Sequence, residues 1–344
     1  MSVPSTMQAI GFTQSLPIEQ PESLVDFTTA MPTLGDDDLL VKVSANSINP
    51  ADAKIRVRAA ADKTLEQPRV LGFDAVGIVV ATGKKVAGFA TGDRVYYAGD
   101  VTRSGSNAEY QAVDHRIVAH APLSLTDAEA AVMPLGALTA WEALFDRLRI
   151  KPTEKKSLLV IGGAGGVGSI TIQLAKQLTN LTVIATASRP ETERWVKQMG
   201  ADHVVNHRDL VNSVREQGIE HVDYIFNVAD TKGHWDAMVE LIAPQGMISS
   251  IVEFDGGIDL SQLQGKSVGF IWELMFTRSL FKTYDMIKQQ EILFQVANLI
   301  DAGRIQTTLT DTIDGFGADV MKEAHRRIET GASIGKIAIN FANS

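Results

Sequence analysis

Residues 162–168 read Gly-Gly-Ala-Gly-Gly-Val-Gly, between an apolar run (Ser157 to Ile161) and a run of helical character (Ser169 to Leu178). Gly163, Gly165 and Gly168 have the spacing G-x-G-x-x-G. The spacing alone describes many flexible loops. A strand before it and a helix after it make it an anion cradle, because a helix N-terminus offers free N–H groups and the positive end of its dipole. The first glycine permits the tight turn, the second lets the backbone approach a diphosphate, and the third lets helix and strand pack closely. Gly163, Gly165, Gly166, Val167 and Gly168 are therefore candidate dinucleotide-binding residues.

The chain has 344 residues, enough for two domains. Hydrophobic residues make up 45% and charged residues 21%, the balance of a globular protein with a sizeable core. No apolar stretch reaches the ~20 residues of a membrane span, and the first residues lack the basic-then-apolar pattern of a signal peptide. With 0 Cys there is neither a disulfide nor a thiolate metal site. A cytoplasmic location is the expectation. A net charge of -9 argues against nucleic acid or an anionic membrane as partner.

Residues 1 to about 125 read as short strands broken by Pro, Gly and Asp turns, for example Met7–Phe12, Leu39–Ala45, Ala75–Val80 and Arg94–Tyr97, with one early helix near Ala51 to Ala61. From about Thr126 the rhythm changes. Helical stretches flank Pro134, and strands then alternate with helices from Ser157 to Val252. Alternating units of this kind build a parallel sheet with helices on both faces. A helix is expected over about 284–302, followed by strands at Thr307–Asp311 and Lys336–Phe341. The predicted organisation is a barrel-like domain (1–125), a dinucleotide-binding domain (126–268) and a C-terminal return to the first domain (269–344).

An NAD site places an Asp or Glu on the adenosine ribose, ~20 residues past the glycines. Here the second strand ends in Ala187-Ser188-Arg189-Pro190, with Ser188 lying 20 residues beyond Gly168. A hydroxyl beside a guanidinium suits a 2'-phosphate, which Arg binds through charge-assisted and often bidentate bonds. Glu191 and Glu193 fit as acids of the next helix's first turn. Ser188 and Arg189 thus predict NADPH as the cofactor.

Several segments in order resemble the zinc-independent quinone oxidoreductase branch of the medium-chain dehydrogenases/reductases. They include Asn46–Arg56 (N-S-I-N-P-A-D-A-K-I-R), Gly72–Val79, Gly92–Val95, Ala130–Trp141, the glycine run, Gly200–His207 and Ala324–Lys336. The resemblance implies an α/β chain: a chaperonin-10-like β-barrel catalytic domain plus a Rossmann-type doubly wound parallel sheet. Zinc-dependent relatives carry a Cys near Asn49 or Pro50 and a G-H-E where this chain has Gly72, Phe73 and Asp74. The thiolate and the imidazole are missing, and the 7 His residues show no metal spacing. Without a metal, the acceptor must be electrophilic in its own right: a quinone, or an activated alkene such as an enone or enal.

By the same resemblance, Asn49 and Asp52 lie near the nicotinamide. Lys54 stands where relatives often carry Tyr, and Arg56 follows it. Thr139 matches a position at the nicotinamide end of the cofactor, and His207 one near the adenosine phosphate. Asn227 and Val228 are expected at the ribose, Ser250, Ile251 and Val252 at the nicotinamide, and Lys336 at the cofactor cleft. Tyr96, Phe270, Trp272 and Phe276 are candidate walls of an apolar acceptor pocket. Ser267–Trp272 matches the strand that relatives pair across a dimer two-fold, which implies a homodimer. A non-catalytic NADPH-binding protein is the competing reading from another class.

Overall fold

The computed structural model describes residues 4–341, and the chain divides into two compact units. Unit 1 joins residues up to Leu135 with those from Phe276 onward, and unit 2 is Gly136–Met275. No helix among the described residues is long and apolar enough to cross a membrane.

Unit 1 begins with strands β1 (Thr6–Phe12), β2 (Val25–Ala30) and β3 (Asp38–Ser47), then helix α1 (Pro50–Arg58). Strands β4 (Arg69–Val70), β5 (Ala75–Thr82), β6 (Arg94–Tyr97), β7 (Tyr110–Asp114) and β8 (Val118–His120) follow, then helix α2 (Asp127–Ala131). Helix α3 (Pro134–Trp141) leads into unit 2. Pro134 is the first residue of α3, where its missing N–H costs nothing. A π-helical segment, Glu142–Arg147, continues it.

Unit 2 alternates β9 (Ser157–Ile161), α4 (Gly166–Leu178), β10 (Thr182–Thr186), α5 (Pro190–Gln198), β11 (His203–Val205), α6 (Leu210–Arg215), β12 (Val222–Asn227), α7 (Trp235–Leu241), β13 (Ile242–Ser250) and β14 (Gly269–Trp272). The chain returns to unit 1 with α8 (Thr277–Leu280), α9 (Lys288–Asp301), β15 (Leu309–Asp314), α10 (Ala318–Glu329) and β16 (Lys336–Asn340).

The six strands of unit 2 are all parallel, in the order β11-β10-β9-β12-β13-β14. Leu158 to Ile161 of β9 are completely buried, as a central parallel strand covered on both faces requires. One face packs Val205, Leu210, Val214, Ile225, Trp235, Met238 and Leu241 into one cluster beneath α6 and α7. On the other face the Trp195 indole of α5 donates to Ser169 Oγ of α4 at 2.7 Å. The strand order reverses at β9, whose neighbours are β10 and β12, so the switch point lies at the carboxyl end of β9, where such sheets bind ligands.

Unit 1 contains a seven-stranded sheet, ordered β15-β16-β3-β5-β6-β8 with β7 also pairing β3, and a three-stranded sheet β2-β1-β4. The last strand, β16, pairs antiparallel with β3 through Ala338↔Ser47 and Ile339↔Asn46.

Two expected boundaries move. Residues 126–135 stay with unit 1, and the return to it begins at Phe276 rather than at 269. The reason is β14, which pairs with β13 as the sixth strand of the parallel sheet. Helix α9 starts at Lys288, later than the expected 284. Helix α10 was not foreseen. Its Ala318, Met321, Ala324 and His325 are buried at helical spacing, a stripe hidden in sequence by the charged residues around it. Tyr96 is a core residue rather than a pocket wall: it is fully buried, and its hydroxyl donates to Leu293 O at 2.5 Å.

The glycine turn is sterically graded. A Cβ on Gly168 would lie 2.3 Å from Gly162 O and 2.7 Å from Gly163 Cα, whereas on Gly165 the nearest atom would be 3.8 Å away. Gly168→Ala should therefore lower the unfolding free energy by about 1–3 kcal/mol. Gly165→Ala should cost less than about 1 kcal/mol. Urea unfolding of the two variants checks the contrast.

Candidate active site and cofactor cradle

The cradle starts where β9 ends. Gly162 has φ +90°, a left-handed conformation suited to glycine, and its N–H donates to Thr186 Oγ1 at 2.8 Å, which fastens the turn to β10. A Cβ on Gly163 would meet Ala185 Cβ at 2.9 Å. The N-cap of α4 is Gly165, which supplies no side-chain cap to the helix's first N–H groups. Residues 164–167 are half-buried, so the helix start is open to a ligand. A turn that excludes side chains, an uncapped helix start and the switch-point position together fit a dinucleotide diphosphate.

Ser188 and Arg189 follow β10 and are partly exposed. Arg189 Nε lies 3.2 Å from Glu191 Oε1, with the two side chains 41% and 48% exposed. So open an ion pair contributes only about 0–1 kcal/mol, little resistance to an incoming phosphate.

At the carboxyl ends of β12 and β13, Asn227 Nδ2 donates to Thr231 Oγ1 and to Ser250 Oγ, each at 3.0 Å. Thr231 Oγ1 in turn donates to Val252 O at 2.6 Å. This network unites Asn227, Ser250 and Val252, with Ile251 N–H on Asn227 O at 3.3 Å. Thr231, fully buried, was missed. It lies in a loop, where no periodicity marks it. Val228 lies beside the glycine turn, its N–H bonded to Ile161 O at 2.9 Å. Thr139 is buried on α3.

A second network lies in unit 1. Pro50 opens α1, and Asp52 Oδ2 accepts the Asn49 N–H at 2.9 Å, closing the first turn. Asp52 Oδ1 accepts the Gly72 N–H at 2.9 Å. Asn49 Nδ2 donates to Phe73 O and to Asp74 Oδ2, each at 2.9 Å. Asp74 Oδ1 accepts the Leu135 N–H at 2.7 Å. The Lys336 ammonium donates to Asp74 Oδ2 at 2.9 Å, to Ile48 O at 3.2 Å and to Asn49 Oδ1.

All four side chains are buried. Burial pushes the Asp52 carboxyl up to about 7 against the pull of its two N–H donors and of Lys336. Burial also raises Asp74, opposed first by Lys336. The polar side-chain atoms of Asn49 and Asp52 are thus bonded to neighbours within unit 1. Lys336, expected at the cofactor cleft, directs its three donors into this network. Lys54 lies on the same helix as Asp52 and is partly exposed.

Of the expected apolar walls, Phe276 is buried edge-to-face against Phe73, with ring centroids 5.3 Å apart in unit 1. Phe270 and Trp272 pack against each other in unit 2, 5.1 Å apart. Sequence reasoning also missed a buried acid pair in unit 2. Arg147 Nε bonds Glu273 Oε2 at 2.7 Å, and its Nη2 lies 3.6 Å from Glu142 Oε2. Burial, and then the neighbouring Glu142, push the Glu273 carboxyl well above the usual carboxylate range.

Residues 35–123 match the alcohol dehydrogenase GroES-like domain, and residues 199–339 match the zinc-binding dehydrogenase domain. A zinc-type alcohol dehydrogenase-like protein of Staphylococcus aureus is 44% identical over 340 residues, covering 97% of this chain and all of that one. The chain belongs to the medium-chain dehydrogenase/reductase family. A solved structure from Rhizobium etli, named as a zinc-dependent alcohol dehydrogenase protein, has a TM-score of 0.93 at 43% identity and covers 97% of this chain and 98% of its own. A 2-methylene-furan-3-one reductase of Solanum lycopersicum is 30% identical over 351 residues, 99% of this chain and 80% of that one. The chain is accordingly an oxidoreductase of this family, with a GroES-like domain, a Rossmann-type domain and a site for a nicotinamide cofactor.

The zinc in those names does not fit this chain. Among the described residues, no three His, Cys, Asp or Glu are grouped to hold a metal ion. Where zinc relatives place ligands, this chain has the Asn49 amide, the Phe73 ring and a carboxylate, Asp74, already bonded to an ammonium that has no lone pair to offer.

Lys336→Met should strand the Asp74 carboxylate in the core and cost about 3–5 kcal/mol. Adding Asp74→Asn should recover part of the loss. Denaturant melts of the single and double variants check both expectations.

Proposed function

We propose that this protein is an NADPH-dependent reductase that transfers hydride to quinones without a metal. The observation that carries the reading is the Asn49–Asp74–Lys336 network: an amide and a carboxylate stand at two of the zinc-ligand positions, and the Lys336 ammonium is bonded to both. A chain lacking a Lewis acid there suits acceptors that delocalise incoming charge onto their own carbonyl oxygen. The bound nicotinamide would supply the hydride. Gly163, Gly165, Gly166, Val167 and Gly168 would hold its diphosphate. Asn227, Val228, Ser250, Ile251 and Val252 would line the ribose and nicotinamide end, with Thr139, and Ser188 and Arg189 would take the 2'-phosphate.

In unit 1, Asn49 and Asp52 act as positioning residues that hold the start of α1, and Lys54 is the cation nearest to them along that helix. A quinone suits this arrangement because solvent can protonate the phenolate product, so no buried side chain need deliver a proton. The similarity to a 2-methylene-furan-3-one reductase favours a second reading, reduction of activated carbon–carbon double bonds. We further propose a homodimer formed through β14, the edge strand of the parallel sheet, whose Trp272 is 45% exposed.

NADPH consumption with panels of quinones and enones tests the acceptor. Quinone turnover is expected. Turnover of enones alone would select the second reading. Failure of every acceptor, with NADPH still quenching tryptophan fluorescence, would select a binding protein. Arg189→Ala should raise KM for NADPH about tenfold, the loss of a charge-assisted phosphate contact, and leave KM for NADH nearly unchanged. Equal effects on both would refute the 2'-phosphate assignment.

A further inference from the structure

His207 begins the short turn after β11, and His234 is the N-cap residue of α7, after β12. In the sheet these two strands are separated by β10 and β9. Yet the imidazole centroids are 6.1 Å apart, with the rings inclined at 60°. The strands that lead into the glycine turn and the Ser188–Arg189 turn lie between β11 and β12 in the sheet, and the two histidines meet at its carboxyl edge. Right-handed crossovers explain the meeting, because they place α6 and α7 on one face of the sheet.

The ring chemistry of the pair is open. His234 Nδ1 is 2.7 Å from Asp230 O, a pure acceptor, so Nδ1 carries the hydrogen and Nε2 remains for a ligand or a proton. The His207 ring has no hydrogen-bond partner among the described residues and is partly buried. The neighbouring carboxylates are turned to other partners: Asp209 Oδ1 accepts from Asn212 Nδ2 and Asp230 Oδ1 from Gly233 N, each at 2.9 Å, while Asp236 is exposed on α7. Lys232 Nζ is bonded to Asp255 O at 3.1 Å. Arg208 is exposed and adds positive charge beside His207. Burial, His234 and Arg208 all hold His207 below the usual imidazole range. Two imidazoles whose neighbouring carboxylates are bonded to other partners, with a guanidinium beside His207, form a place suited to an anion.

We propose that His207 and His234 form a proton-linked receptor for the 2'-phosphate of NADPH, with His234 the specificity residue that completes it. This rests on the NADPH reading above. Phosphate binding draws one proton from solvent onto an imidazole, and the imidazolium then donates to a phosphate oxygen. No covalent bond changes.

The experiment is calorimetric titration of the intact protein with NADPH and with NADH, in two buffers of different ionisation enthalpy near about pH 7.5. There the 2'-phosphate, with its second pKa at about 6, is already a dianion. Wild type should take up a measurable fraction of a proton with NADPH and much less with NADH. Its Kd for NADPH should rise several-fold from about pH 7 to about pH 8.5 as imidazole protonation becomes harder. His234→Gln should abolish most of the uptake and weaken NADPH about tenfold, with NADH binding little changed. His234→Lys, a fixed charge at the same place, should keep the preference for NADPH and lose the uptake. If His234→Gln retains both the preference and the uptake, or if wild type prefers NADPH without taking up a proton, this inference fails and the NADPH reading stands. Equal wild-type affinity for the two cofactors would overturn the NADPH reading and this inference with it.

Discussion

The buried contact between Lys336 and Asp74 holds unit 1 together across the chain. The partners are 262 residues apart, yet their charged atoms are 2.9 Å apart. Taking two ions out of water is costly, and a buried pair persists only when every remaining donor and acceptor is satisfied. Here that condition is met: Asp74 also takes the Leu135 N–H and the Asn49 amide, and Lys336 also takes Asn49 Oδ1 and Ile48 O. The pair thereby ties β16 to the start of α1, beside the pairing of β16 with β3.

The same contact sets the chemistry. An ammonium bonded to Asp74 makes the place inhospitable to a cation, and the positions used by metal-bearing relatives become scaffold. Family membership therefore transmits the fold and the nicotinamide site but not the metal. This division is physical. A fold depends on many apolar contacts that tolerate exchange, whereas a metal centre depends on three or four particular donor atoms.

Much was legible in sequence where the signal was local. The glycine run, the buried strand before it and the amphipathic helix after it identified the cradle, because turn sterics and 3.6-residue periodicity act within a few residues. Less legible were the elements whose reason lies elsewhere in the fold. The four residues of β14 are too few to show a period and belong to the parallel sheet only through β13. Helix α10 hides its stripe beneath charges, one of which, Glu329, bonds Arg56 of α1 at 2.7 Å. Thr231 has no local mark at all; its role follows from Asn227 and Ser250 lying within reach.

The sequence alone determined that this chain folds around a glycine-cradled parallel sheet joined to a strand-rich domain, and that it lacks the residues for a catalytic zinc. Backbone sterics, periodicity and residue chemistry are local properties that a sequence carries openly. Only the tertiary structure decided that Lys336 spends its charge on Asp74 and Asn49, that Asn49 and Asp52 share one buried network with them, and that His207 and His234 meet although two strands separate β11 from β12. Those facts depend on distances between residues far apart in the chain, which strand order and crossover handedness fix and no local pattern encodes.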